Sequence, residues 1–90
     1  MALTAGFHPR LWRLARLDFD RVRQRCVLLY PEGAMFINDT GAAILELCDG
    51  SRTVGEIAHA LGARYQADVG ADVLEYLAGM VQRDLVTAND

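Results

Sequence analysis

The spacing of apolar residues switches from a period of two to a helical one at Asn38-Asp39-Thr40. That change restricts the chain to an α+β fold with its strands first and its helices after. On the N-terminal side, Leu17 and Phe19 alternate with Arg16, Asp18 and Asp20, the period of two expected of a half-buried strand. The polar stretch Arg21-Val22-Arg23-Gln24-Arg25 reads as a hairpin connection. Cys26-Val27-Leu28-Leu29-Tyr30 is a short apolar run rich in strand formers and reads as a central strand. In Pro31-Glu32-Gly33 the proline presets φ for the first central turn position and the glycine suits the last, so the chain reverses. Ala34-Met35-Phe36-Ile37 then returns as a third strand, the edge of an antiparallel meander.

Beyond the change, any of Asn38, Asp39 and Thr40 can cap a helix through its side-chain oxygen. The first helix runs through Ala42 to Cys48 and stops near Asp49-Gly50. Thr53 and Glu56 have capping-box spacing and start a second helix at Val54, with Val54, Ile57, Ala58, Leu61 and Tyr65 on one face and His59 turned to solvent. Asp68 or Asp72 starts a third helix that reaches about Arg83. The expected fold is winged helix-turn-helix-like over residues 14–86: a three-stranded antiparallel β-meander followed by three α-helices. Residues 1–13 show no period and are expected to be a flexible N-terminal arm, from which Phe7, Leu11 and Trp12 could dock. Residues 87–90 are expected to be a polar C-terminal tail.

Ninety residues fit one small domain. No segment approaches the roughly 20 apolar residues of a membrane span. His8-Pro9-Arg10 interrupts the place where a signal peptide needs its apolar run, so a cytoplasmic location is expected. Cys26 and Cys48 lack a second pair to complete a zinc site; each lies in an apolar run and reads as a reduced, buried thiol. His8 and His59 stand alone, the acidic residues are dispersed, and no nucleophile motif or phosphate loop is present. Nothing nominates a catalytic residue, a metal or a cofactor. A winged helix on DNA needs cationic residues on its recognition helix. This chain has no lysine, and six of its nine arginines precede residue 26. Its second and third helices carry Arg64 and Arg83 against Glu56, Asp72 and Glu75. The protein is therefore expected not to bind duplex DNA at physiological salt, and micromolar binding in a fluorescence-anisotropy titration would refute this.

The third helix carries an apolar arc of about 180°, wider than the roughly 100° that faces a core. The arc runs from Tyr76, Val69 and Met80 through Val73 and Leu77 to Val81, Leu74 and Leu85. One reading buries the whole arc. The other packs one side on the core and leaves the edge of Val73, Tyr76 and Met80 as a groove wall, where tyrosine tolerates a half-wet position and methionine adapts to its partner. An edge strand beside such a wall can receive an extended peptide as an added strand. A winged-helix DNA-binding domain or a general protein-interaction domain remains the alternative.

The middle of the chain resembles the PqqD family of pyrroloquinoline quinone (PQQ) biosynthesis. The likeness rests on Leu28-Leu29-Tyr30-Pro31-Glu32-Gly33, on Ile37-Asn38-Asp39-Thr40-Gly41-Ala42-Ala43-Ile44-Leu45, and on Leu47-Cys48-Asp49-Gly50-Ser51-Arg52-Thr53-Val54-Gly55-Glu56-Ile57. Ile37 stands where leucine is commoner, and Asp84 where a glycine often ends the last helix. The resemblance implies a non-enzymatic, winged-helix-like peptide-recognition element without a cofactor of its own. Its implied partners are the ribosomal precursor peptide PqqA and the radical S-adenosylmethionine enzyme PqqE. It implies that the peptide lies along Ala34, Met35, Phe36, Ile37 and Asn38, and along Val73, Tyr76, Leu77 and Met80 of the third helix. An open edge strand also allows a homodimer by edge pairing or swapping.

Overall fold

A computed structural model describes residues 3–89. Its elements run β1 (His8–Leu11), β2 (Arg16–Asp20), β3 (Arg25–Tyr30), β4 (Gly33–Ile37), α1 (Asp39–Glu46), α2 (Val54–Tyr65), α3 (Gly70–Gln82) and β5 (Val86–Asn89). The fold is α+β. The meander expected from the sequence is present as a three-stranded antiparallel sheet in the order β2-β3-β4. Three helices follow it, and winged-helix-like is a loose description of the whole.

The two ends differ from expectation. His8–Leu11, in the segment expected to be a flexible arm, and Val86–Asn89, in and beside the expected tail, pair as a second antiparallel sheet with His8 opposite Asn89 and Leu11 opposite Val86. Met1, Ala2 and Asp90 lie outside the described residues. The physical reason is backbone supply. The first N–H groups of a helix have no intrahelical partner. Here Val54 N–H donates to the Phe7 carbonyl and Gly55 N–H to the Ala5 carbonyl, both at 2.9 Å. Further along, Leu11 N–H donates to the Cys48 carbonyl, Gly50 N–H to the Pro9 carbonyl, and Trp12 N–H to the Leu85 carbonyl. Gly50 makes its close approach with φ +85°, a conformation that glycine adopts without strain. Phe7, Leu11 and Trp12 dock on the core, as their apolar character suggested.

The starts of α1 and α2 follow local chemistry, whereas α3, expected to start at Asp68 or Asp72, begins at Gly70 with Val69 in the N-cap position and no side-chain cap. Asn38 Oδ1 accepts from Gly41 N–H at 2.7 Å and caps α1. Thr53 and Glu56 form a complete capping box on α2. These hydrogen bonds hold the Glu56 carboxyl below its ordinary pKa, and hydrogen bonds within their own turns do the same for Asp20 and Asp49. A carboxyl whose folded pKa is depressed stabilises above its unfolded pKa, and that contribution is lost as pH falls through the folded value. Thr53→Ala is expected to cost about 1 kcal/mol in urea unfolding at neutral pH. The loss is expected to shrink in acid.

α3 ends differently. Asp84 N–H donates to the Val81 carbonyl and Leu85 N–H to the Met80 carbonyl, a Schellman pair, with Asp84 at φ +61° in the place glycine prefers. Asp84→Gly is expected to raise the melting temperature through about 0.5–1 kcal/mol of relieved strain. The core runs between the sheet and the helices: Leu28, Ile57 and Leu77 are wholly inaccessible, and Ile44, Leu45, Val54 and Val73 nearly so.

Candidate peptide-binding site

β4 pairs with β3 on one side only, which leaves its other edge unpaired among the described strands. Only Pro31 and Glu32 connect β3 to β4, so Tyr30 and Gly33 form the closing hydrogen-bonded pair. Alternation along the ladder directs the N–H and C=O groups of Met35 and Ile37 toward β3. Those of Ala34 and Phe36 face outward. Side chains alternate on the perpendicular axis. Met35 and Ile37 lie on the core face opposite Leu28 and Cys26, while Ala34 and Phe36 lie on the outer face. The Arg25 guanidinium stacks 4.5 Å above the Phe36 ring centroid.

Beside this edge lies a cleft of about 670 Å3. β4 and its exit supply Met35, Phe36, Ile37 and Asn38. α3 supplies Asp72, Glu75, Tyr76, Gly79, Met80 and Arg83. The size is within the range of ligand-binding clefts. The expected residues Met35, Phe36, Ile37, Asn38, Tyr76 and Met80 thus meet around one space. Ala34 is exposed beside it and contributes its outward backbone edge.

The helical wall is rotated from the expected one. Val73, Leu77 and Met80 are 1%, 0% and 6% exposed and belong to the core, and only Met80 reaches the cleft. Val73 instead borders a smaller cavity of about 160 Å3 with Leu61 and Tyr65. The reason is that α3 packs against α2 and, at its C-terminal end, β5, so most of the wide apolar arc is covered. The wall is the adjacent stripe of Asp72, Glu75, Tyr76, Gly79 and Arg83, at helical spacings of three and four. The sequence signal for it was Gly79, a glycine inside a helix with no local turn to justify it.

Five side chains set the site's local chemistry. Asn38 spends Oδ1 on the α1 cap, so its amide nitrogen is what it can offer a ligand. The Tyr76 hydroxyl is buried without a hydrogen-bond partner, and burial raises its pKa, so it stays neutral. It rests on Gly41, where a Cβ would stand 2.6 Å from the hydroxyl oxygen and 2.9 Å from Cζ. Gly41→Ala is expected to displace the Tyr76 ring and cost about 1–3 kcal/mol by urea unfolding. Asp72 and Glu75 line one end of the cleft and Arg83 the other. None of the three is ion-paired among the described residues.

The cysteines correct one expectation. Cys48 is buried and its Sγ donates to the Ile44 carbonyl at 3.3 Å, but Cys26 is half-exposed. Burial pushes the Cys48 thiol up to about 12. At pH 8 Cys48 is expected to resist iodoacetamide until the protein unfolds, while Cys26 labels in the native state. The described residues hold no group of three or more His, Cys, Asp or Glu side chains that could hold a metal, and no helix long and apolar enough to cross a membrane.

An unpaired strand edge above a cleft floored by apolar side chains defines a small α+β domain with an open recognition surface. Residues 25–86 match the sequence model of Coenzyme PQQ synthesis protein D (PqqD), more than half of the chain, and the protein belongs to that family. It is 42% identical over 82 residues to a PqqA binding protein of Rhodopseudomonas palustris strain HaA2, covering 88% of this chain and 80% of the relative. It is 47% identical over 78 residues to the bifunctional coenzyme PQQ synthesis protein C/D of Methylorubrum extorquens, covering 83% of this chain but only 21% of that longer protein. Its fold matches the solution NMR structure of the PqqD truncation of Methylobacterium extorquens PqqCD, a functional, stand-alone recognition element for ribosomally synthesised and modified peptides. The TM-score is 0.81 at 42% identity, over 96% of this chain and 95% of that one. A crystal structure of PqqD from Xanthomonas campestris matches with a TM-score of 0.57 at 32% identity, over 83% of this chain and 87% of that one. The family is one of accessory peptide-binding proteins, not catalysts.

Proposed function

We propose that this chain binds the precursor peptide PqqA in the cleft between β4 and α3, as a strand added to β4, and presents it to the radical enzyme PqqE in PQQ biosynthesis. The observation that carries the reading is the open edge of β4 above the cleft, in a chain whose relatives are named PqqA binding proteins. The outward N–H and C=O groups of Ala34 and Phe36 supply the main-chain hydrogen bonds. Alternate peptide side chains enter the cleft beside Tyr76 and Met80.

A short precursor is disordered when free and loses conformational entropy on binding. Holding it on a scaffold that also docks the enzyme raises its effective concentration at the active site. Part of the contact energy goes into ordering the peptide, so the affinity is set at about micromolar.

The test is titration of 15N-labelled protein with PqqA. The expected result is saturable shifts of the Ala34 and Phe36 amides and of those lining α3 from Asp72 to Arg83. Shifts confined to other surfaces would overturn the reading. A second copy of the chain would compete for the same edge, so peptide is expected to dissolve any homodimer formed through β4.

A further inference from the structure

On the far side of Met35 and Arg83 lies a second cavity of about 750 Å3. Those two residues line both it and the first cleft, so the two spaces meet along α3. The second is built differently. Trp12 enters from the end of β1, Tyr30 from the end of β3, Val81 and Leu85 from the end of α3, and Thr87 from β5. The ends of the two sheets therefore bring an indole and a phenol together in a bay continuous with the peptide cleft. Trp12 and Tyr30 are half-buried, which suits aromatic rings that offer one apolar side to a ligand.

We propose that this bay is the second half of the recognition site. It takes a bulky apolar side chain of the precursor beyond the segment held in the first cleft, while Arg83, at the junction, takes a carboxylate between the two. This rests on the proposal that PqqA occupies the β4–α3 cleft. The preferred ligand face is accordingly an acidic residue with apolar residues on both sides of it, all pointing the same way from the added strand.

Two observations fix that chemistry. Arg83 is exposed and has no ion-pair partner among the described residues, so its guanidinium is available to a carboxylate. Asp72 and Glu75 line the first cleft and Glu32 and Asp84 the bay, so an acidic residue is repelled within either space and Arg83, which lines both, is the place for one.

Trp12 is the single tryptophan of the chain and reports on its own bay. The experiment uses PqqA with any tryptophan replaced by phenylalanine, with binding followed in parallel by NMR. At saturation, Trp12 emission is expected to shift to the blue and acrylamide quenching to fall by about half as the bay is covered. Arg83→Glu is expected to weaken binding about five- to tenfold, and Arg83→Gln less but with loss of the salt dependence of affinity. A PqqA variant carrying lysine in place of the paired acid restores binding to Arg83→Glu. Amide shifts in the first cleft with unchanged Trp12 emission and quenching would overturn the bay and leave the cleft standing. The absence of any amide shift would overturn both.

Discussion

Replacing Gly79 with leucine is expected to abolish PqqA binding while making the domain more stable. A Cβ built on Gly79 meets nothing within 4 Å, so the new side chain costs no clash inside the protein. It projects into the cleft that Gly79 lines, between Met80 and the edge of β4. The helix gains as the binding site closes: leaving glycine in a helix interior is unfavourable by about 1 kcal/mol relative to a good helix former. Gly79→Ala is the control. It brings most of the stabilisation with one methyl of obstruction, so its affinity stays within a few-fold of the parent. Thermal melting and isothermal titration on the same samples separate the effects. A Gly79→Leu protein that binds PqqA like the parent would mean that the peptide does not use this cleft.

Proline substitution along β4 is expected to split by position. Met35→Pro removes an N–H that points to β3 and withdraws a side chain from the core face, at a cost on the order of 2–4 kcal/mol. For a small domain of ordinary stability that is a large fraction of the total. Phe36→Pro removes an outward N–H, which a sheet edge tolerates. It is expected to fold and to bind PqqA at least tenfold more weakly than Phe36→Ala, because the lost donor is one the peptide uses. Equal affinity for Phe36→Pro and Phe36→Ala would rule out strand addition here. Met80→Glu is not a clean test of the cleft: Met80 is 6% exposed, and an unpaired buried charge unfolds the domain before it can report on binding.

What could be read from the residues was local. The Asn38 cap, the Thr53–Glu56 box, the Pro31-Glu32-Gly33 reversal and the meander each depend on chemistry within a few positions, and each stands in the structure. That the edge strand and the third helix border one cleft was implied by the resemblance to the PqqD family, not by periodicity. Which stripe of α3 faces the edge was not legible. Periodicity measures the width of an apolar arc but not which neighbours cover it, so Val73 and Leu77 looked no different from a groove wall. The outward parity of Ala34 and Phe36 was equally hidden, because it depends on which pair closes the turn. Pairing of His8–Leu11 with Val86–Asn89 leaves no local trace at all, since each strand is four residues long and finds its partner across the chain.

That pairing has a consequence for the order in which the molecule assembles. The meander joins neighbours in sequence, whereas β1 and β5 enclose almost the entire polypeptide between them, the largest loop the fold has to close. Their ladder is therefore expected to form after the helices have packed and to open before they come apart. Amides of β5 are set to exchange with solvent ahead of those in β3, through a partial opening that leaves the core intact. In that opened state Val54 and Gly55 lose the carbonyls of Phe7 and Ala5, and Trp12 loses its hold on Leu85. The two ends of the chain act as one latch, and its looseness sets how often the first turn of α2 frays.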